Sequence, residues 1–276
     1  MLRKVYLEIT NVCNLNCAFC PGTKRPPRFL SVEDFRLLAG KLRGHTESLY
    51  FHLMGEPLLH PDLPLLLDVA GALGFKVMLT TNGTLLPKRK DELLAAPALH
   101  KVNISLQSFE ANAGGELAVY LRGCTDFAAA AAEAGKRCEL RLWNRGGWET
   151  MNGEIRALLA EAFPEPWETS RNGFKLRERI WLEPGDYFDW PDLALPSLGE
   201  RCFCYGLRDQ VGVLCDGTVV PCCLDREGAV PLGNLFTQEL GDIMSTERAR
   251  AIYEGFSRRR AVEPLCQGCG YARRFT

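Results

Sequence analysis

The chain has 276 residues, of which 46% are hydrophobic, and a formal net charge of −1, so it is long enough to bury a sizeable core and has no general attraction for nucleic acid. No apolar run approaches the roughly 20 residues that a membrane span needs, and the start of the chain is too short and too polar for a signal peptide. We therefore expect a soluble, cytoplasmic protein that makes no membrane contact.

From the N-terminus onward, short apolar runs alternate with longer amphipathic ones. The apolar runs predict strands over Val5–Ile9, Leu49–Met54, Lys76–Thr80, Lys101–Leu106, Cys138–Trp143 and Leu176–Leu182. The amphipathic runs predict helices that begin after the capping residue Ser31 and that cover Leu63–Leu73, Asp91–Ala95, Tyr120–Ala134 and Glu154–Phe163. This alternation is typical of a parallel α/β sheet. Because six units fall short of the eight in a closed barrel, we predict an open, partial (β/α)6 barrel over residues 1–190.

The pattern changes after this region. Residues 191–200 contain prolines and a glycine and predict a linker. Residues 201–276 are rich in cysteine, with turns and one helix expected over Gly241–Gly255. We therefore predict a small second domain from residue 201 to the end of the sequence.

Twelve cysteines are an unusual number for a cytoplasmic protein, and such proteins rarely form structural disulfides because the cytosol keeps thiols reduced. The cysteines are also clustered, which favours metal binding. Cys13, Cys17 and Cys20 follow the first predicted strand, at the end of the sheet where α/β folds place active sites. Three thiolates bound to a [4Fe–4S] cluster would leave its fourth iron open to a ligand. A zinc site completed by a distant histidine is the alternative.

The C-x3-C-x2-C triad, with an aromatic residue (Phe19) before its last cysteine, resembles the signature of the radical S-adenosylmethionine (SAM) superfamily. Further segments at the ends of the predicted strands continue the resemblance. It implies that these residues contact SAM: Gly55, Glu56 and Pro57, which match the family's GGEP segment with Met54 in place of its first glycine, and Asn82, Ser105 and Arg141. In this interpretation the glutamate segment meets the SAM amino group and the arginine meets its carboxylate.

The resemblance implies a mechanism and a set of cofactors. A reduced [4Fe–4S] cluster, held by the same three cysteines as the catalytic centre, cleaves SAM and yields a 5′-deoxyadenosyl radical, which takes a hydrogen atom from the substrate. An electron donor such as flavodoxin or ferredoxin is the expected partner. Only twelve residues precede Cys13, so a built-in domain for leader-peptide recognition is not expected.

The C-terminal cysteines resemble those of SPASM and Twitch domains, which hold auxiliary clusters. The resemblance implies one auxiliary [4Fe–4S] cluster bound by Cys204, Cys222, Cys266 and Cys269. Spacing alone leaves Cys202 and Cys223 as alternative ligands, and a four-cysteine zinc ribbon is the alternative site. Asp225, just past the cysteine pair, is a further candidate, as an acid that accepts a proton.

The sequence therefore predicts a radical SAM enzyme that acts on a peptide or a small molecule. A second hypothesis is modification of a nucleoside or RNA, with Arg258–Arg260 and Arg273–Arg274 as candidate phosphate contacts. The near-neutral charge of the chain does not favour that partner. A non-enzymatic iron–sulfur or zinc protein is the hypothesis from another class.

Overall fold

The computed structural model of the protein describes residues 1–112 and 115–275. Its strands are β1 (Lys4–Leu7), β2 (Ser48–Phe51), β3 (Lys76–Thr81), β4 (Leu99–Ser105), β5 (Arg137–Arg145), β6 (Glu168–Ser170), β7 (Gly173–Arg177), β8 (Ile180–Asp186), β9 (Gln210–Val213), β10 (Thr218–Val220) and β11 (Gly233–Asn234). Its α-helices are α1 (Val32–Leu42), α2 (Leu63–Ala72), α3 (Leu86–Ala95), α4 (Leu117–Glu133), α5 (Asn152–Ala162), α6 (Leu240–Met244), α7 (Glu247–Ser257) and α8 (Pro264–Gln267). Short 3₁₀ turns cover Pro57–Leu59, Leu106–Ser108, Glu110–Asn112 and Tyr271–Phe275.

The described strands form one sheet in the order β11-β10-β9-β1-β2-β3-β4-β5-β8-β7-β6. Strands β1 to β5 and β8 run parallel to one another, which gives the six parallel strands of the predicted partial barrel. Strand β9 of the C-terminal region pairs in parallel with β1. The cysteine-rich region therefore continues the barrel sheet at its β1 edge. The predicted α/β class is confirmed.

Local signals account for several boundaries. The Ser31 side chain accepts a hydrogen bond of 3.0 Å from the backbone amide of Asp34, as expected of a helix cap. In β5, Leu140 and Leu142 are buried in the helix-covered core. Arg141 and Trp143 alternate with them and face the inside of the barrel, where they line a cavity.

Two predicted elements are wrong. The predicted strand over Leu176–Leu182 is a hairpin: β7 ends at Arg177, Arg179 turns the chain with φ of 64°, and β8 begins at Ile180. The predicted helix over Gly241–Gly255 is two helices, α6 and α7. Thr246 separates them, and its side chain caps α7 by accepting from the backbone amide of Ala249. A threonine cap inside an amphipathic run ends one helix and begins another.

Candidate functional site

Two cavities lie inside the barrel. The smaller, about 250 Å³ in volume, is at the carboxyl ends of the parallel strands, beside the loop that follows β1. Cys13, Cys17 and Cys20 all line it. None of the three thiols is in a disulfide. The loop therefore presents three thiols to one cavity, where an iron–sulfur cluster could be bound.

The three thiols are partly shielded from water. Burial raises the pKa of all three, that of Cys17 to about 11. A thiol of this kind ionises at neutral pH only when a cation such as iron binds it. The side-chain amide of Asn112 also donates a hydrogen bond of 3.0 Å to the Cys17 sulfur, as is common around cluster ligands. This donor set fits an iron–sulfur cluster.

Gly55 and Glu56 bring the segment after β2 against the cysteine loop. Gly55 has φ of +76°, and a Cβ there would lie 2.5 Å from the carbonyl oxygen of Thr10, so only glycine fits. The Glu56 carboxylate is buried and accepts hydrogen bonds from the backbone amides of Leu58 (3.0 Å) and Asn82 (2.7 Å). Glu56 thereby ties the end of β3 to this segment while it lines the cavity.

The other residues that the family resemblance implies as SAM contacts lie near the smaller cavity. Phe19, Asn82, Ser105 and Arg141 line the smaller cavity together with Gly55 and Glu56. The side-chain amide of Asn82 donates a hydrogen bond of 2.9 Å to the side-chain oxygen of Asn14 in the cysteine loop. Pro57 is buried at the start of a 3₁₀ turn and is not among the lining residues.

Arg141 has carboxylate partners within the protein. Its Nε lies 3.1 Å from Glu183 and its Nη2 lies 3.3 Å from Glu139. No hydrogen bond or ion pair in the described part of the chain involves its Nη1. Arg141 is therefore paired within the protein, and its Nη1 remains for a ligand.

The larger cavity, about 500 Å³, brings together the C-terminal cysteines. Cys204, Cys222, Cys266 and Cys269 all line it, as does Cys223. The pKa of Cys222 is raised, and burial is the largest cause. The neighbouring thiols Cys223, Cys204, Cys266 and Cys269 raise it further. These five side chains are near enough to influence one another, as ligands of one cluster must be.

The two alternative ligands differ in position. Cys202 is 1% exposed, and its thiol lies 3.4 Å from the Phe203 carbonyl; it is not among the residues that line the larger cavity. Cys223 lines both cavities, close to Tyr6 and Lys4. The geometry therefore favours Cys204 over Cys202 as a ligand of the auxiliary cluster. It places Cys223 between the two cavities.

Asp225 lines the larger cavity, but its carboxylate stabilises a turn. The two oxygens accept hydrogen bonds of 2.7 Å and 2.8 Å from the backbone amides of Ala229 and Val230. Burial raises the pKa of this carboxyl. Its suggested role as a proton acceptor stays a prediction.

Sequence reasoning missed several residues of the site. No local sequence pattern indicates that Asn112 belongs to the site, because it lies 95 positions from Cys17, to which it donates a hydrogen bond. Gln107 lines the smaller cavity, and its buried Oε1 has no hydrogen-bond partner among the described residues. Cys124 and Cys138 pack in the core. Cys215 is buried too, and its backbone amide donates a hydrogen bond of 3.1 Å to the Glu8 carboxylate.

The cysteines of each group line a cavity and do not converge on a single position. Within residues 1–112 and 115–275, no three His, Cys, Asp or Glu side chains converge as the ligands of one metal ion do. None of the helices in the described residues is long and apolar enough to cross a membrane.

Comparison with known families matches both regions. The profile of the Radical SAM superfamily matches residues 7–131, and that of SPASM, an iron–sulfur cluster-binding domain, matches residues 202–270. GTP 3′,8-cyclase of Chlorobaculum tepidum is 36% identical over 110 residues, which are 38% of this chain and 33% of that protein. The chain thus matches about a third of the length of such curated relatives. PqqA peptide cyclase of Xanthomonas euvesicatoria pv. vesicatoria is 28% identical over 96% of this chain and 79% of that protein.

Solved structures share the fold. BtrN in complex with AdoMet and 2-DOIA superposes with a TM-score of 0.61 at 16% identity, over 98% of this chain and 93% of that one. SuiB of Streptococcus suis bound to S-adenosylmethionine gives a TM-score of 0.66 at 18% identity, over 99% of this chain and 72% of that one. At these identities the likeness establishes the fold alone.

Proposed function

We propose that this chain, which belongs to the radical SAM superfamily and carries a SPASM iron–sulfur domain, is an enzyme that reductively cleaves SAM and takes a hydrogen atom from a peptide or small-molecule substrate. The two domains imply a SAM-binding [4Fe–4S] cluster and an auxiliary iron–sulfur cluster. When bound, the first cluster supplies the electron that breaks the SAM sulfonium bond.

The observation that carries this proposal is that the two cavities lie next to each other. They share His52, Arg141, Trp143, Phe188, Cys223 and Leu224. A substrate in the larger cavity would therefore lie next to SAM in the smaller one. Direct contact between the two is what hydrogen transfer needs, since reacting atoms must approach to about 3–3.5 Å.

In this proposal the chain's own residues bind and orient the reactants. Cys13, Cys17 and Cys20 hold the first cluster, and Cys204, Cys222, Cys266 and Cys269 hold the auxiliary one. Gly55, Glu56, Asn82, Ser105 and Arg141 form the SAM pocket, which Phe19 borders. Trp143 and Phe188 line both cavities and so lie between the two proposed sites.

A peptide or small molecule is the preferred substrate class, and a flavodoxin or ferredoxin is the proposed electron donor. One relative, named a PqqA peptide cyclase, supports the peptide option. SuiB, which shares the fold at 17% identity, is a protein whose structure was solved with a precursor peptide. The nucleic-acid alternative has less support. Arg258 and Arg260 lie in surface ion pairs with Glu254 and Glu200, as is usual for solvated charges.

Electron paramagnetic resonance of the anaerobically reduced holoprotein tests SAM binding. Adding SAM should change the signal of the first cluster and leave the auxiliary signal as it was. Arg141→Lys keeps the charge but loses the Nη1 group that remains for a ligand, and it should weaken SAM binding by about 1.5–3 kcal/mol. Arg137→Lys is the matched control, because Arg137 also pairs with Glu139 but lines neither cavity.

Two outcomes would count against these assignments. If SAM alters neither cluster signal, the proposed function is wrong. If Arg141→Lys binds SAM as tightly as the wild type, Arg141 serves only its pairs with Glu139 and Glu183.

A further inference from the structure

A side-chain amide without a hydrogen-bond partner borders the smaller cavity. Gln107 lies in the 3₁₀ turn Leu106–Ser108, which follows β4, and only 8% of its surface is exposed. It lines the smaller cavity and not the larger one. Gln107 therefore belongs to the space proposed for SAM, although the resemblance to the radical SAM family assigns it no role.

Both polar atoms of the Gln107 amide lack partners among the described residues. Its Oε1 is buried, and its Nε2 makes no hydrogen bond either. Unlike Oε1, Nε2 is not fully covered by protein atoms, so the amide can be reached from the cavity that Gln107 lines. A buried amide is stable only when its donor and acceptor are paired, and a bound molecule in this cavity would pair them.

The backbone on either side of Gln107 is fixed to other walls of the cavity. The Ser108 hydroxyl donates a hydrogen bond of 3.1 Å to the carbonyl of Asn82, just after β3. The Ser108 carbonyl accepts a hydrogen bond of 2.6 Å from the side chain of Asn112, which also contacts the cysteine loop. Leu106, on the other side, is fully buried. The turn therefore holds Gln107 in place, while its amide, bound by no hydrogen bond, is free to turn toward a ligand.

The groups that SAM presents differ in what they can offer this amide. A carboxylate only accepts hydrogen bonds and an ammonium group only donates them, so each would leave one atom of the amide unpaired. In the interpretation given above, moreover, those two groups meet Arg141 and the Glu56 segment, which also line the cavity. The adenine base has an exocyclic amine beside a ring nitrogen, a donor next to an acceptor, and glutamine pairs with this edge in two-point fashion.

We infer, resting on the proposed function in which SAM occupies the smaller cavity, that the side-chain amide of Gln107 binds the adenine base of SAM. Its Nε2 donates to a ring nitrogen of the base, and its Oε1 accepts from the exocyclic amine. Gln107 is then a specificity-determining residue. A base that has a carbonyl oxygen in place of the amine presents two acceptors at the same edge and would leave Oε1 unpaired.

The contact with the base is tested with SAM and with a SAM analogue that has purine in place of adenine and so lacks only the exocyclic amine. Equilibrium dialysis against the reconstituted, unreduced holoprotein measures binding without turnover. The wild type should bind SAM about tenfold more tightly than the analogue, equivalent to about 1.4 kcal/mol, because the analogue leaves Oε1 unpaired.

The residue assignment is tested with Gln107→Met, which keeps the length of the side chain but has no amide. This variant should bind SAM about tenfold more weakly than the wild type, and it should bind SAM and the purine analogue about equally. Gln238→Met is the matched control, because Gln238 is exposed and lines neither cavity. It should keep both the affinity for SAM and the preference over the analogue. Resonance signals of both clusters, recorded after reduction, show that each variant has folded.

The preference for SAM over the analogue separates a contact with the base from a structural role. If Gln107→Met weakens both ligands equally, the residue only supports the turn or meets the ribose, and the inference is wrong. It is also wrong if the wild type binds both ligands equally, or if Gln107→Met keeps the preference. Failure of the wild type to bind SAM at all would instead refute the proposed function, and this inference with it.

Discussion

The side-chain amide of Asn112 donates a hydrogen bond of 3.0 Å to the sulfur of Cys17, and the same nitrogen donates to the carbonyl of Ser108. This contact joins the turn after β4 to the cysteine loop after β1. A hydrogen bond to a cluster sulfur stabilises the reduced, more negative state. Asn112 should therefore raise the reduction potential of the first cluster.

Replacing Asn112 with Ala should lower that potential. A redox titration followed by electron paramagnetic resonance measures it, and the auxiliary cluster is the internal control because Asn112 does not line its cavity. An unchanged potential of the first cluster would mean that the hydrogen bond only positions the loop.

A buried ion pair anchors the cysteine loop to the sheet. Arg25 donates hydrogen bonds of 2.8 Å and 2.6 Å to the Glu8 carboxylate, which is fully buried. Arg25→Met leaves that carboxylate without its counter-ion and should reduce the free energy of unfolding by about 3–5 kcal/mol. Anaerobic denaturant unfolding measures the loss. The double variant Glu8→Met with Arg25→Met should recover part of it; a double variant less stable than Arg25→Met would contradict this account.

Gly55 is expected to tolerate no side chain. A Cβ at this position would lie 2.5 Å from Thr10 O and 2.8 Å from Val12 O, and φ is +76°. Gly55→Ala should therefore displace the segment from the cysteine loop and weaken SAM binding. Gly40→Ala is the matched control: Gly40 lies inside α1, and a Cβ added there would meet no atom within 4 Å, so alanine should stabilise the helix by about 0.5–1 kcal/mol. Equal SAM affinity in both variants would refute the packing argument.

The auxiliary ligands are tested by iron content. The reconstituted wild type should hold about eight irons, four for each [4Fe–4S] site. Cys204→Ser should hold about four, because Cys204 lines the larger cavity. Cys202→Ser should keep the wild-type number, because its thiol lies outside that lining. The opposite result would make Cys202 the ligand, and zinc in place of the lost iron would favour a zinc ribbon.

The sequence predicted features that depend on residues close together in the chain. Ser31 before an amphipathic run predicted a helix start, and the apolar run over Cys138–Trp143 predicted the strand that is β5. The turn at Arg179 could not be predicted, because arginine gives no sign of a left-handed backbone conformation.

Contacts between distant segments were also beyond prediction. The position of Cys223 between the cavities depends on the pairing of β9 with β1, which joins residues about 200 positions apart. Such features follow from the topology rather than from any local pattern.

The most direct test of the account is SAM turnover by the anaerobically reconstituted holoprotein with a strong reductant, followed by chromatography of the products. We expect 5′-deoxyadenosine and methionine in equal amounts, and neither product from a Cys17→Ala variant, which lacks a ligand of the first cluster. Intact SAM after prolonged incubation, with the first cluster shown to be reduced by its resonance signal, would contradict the account.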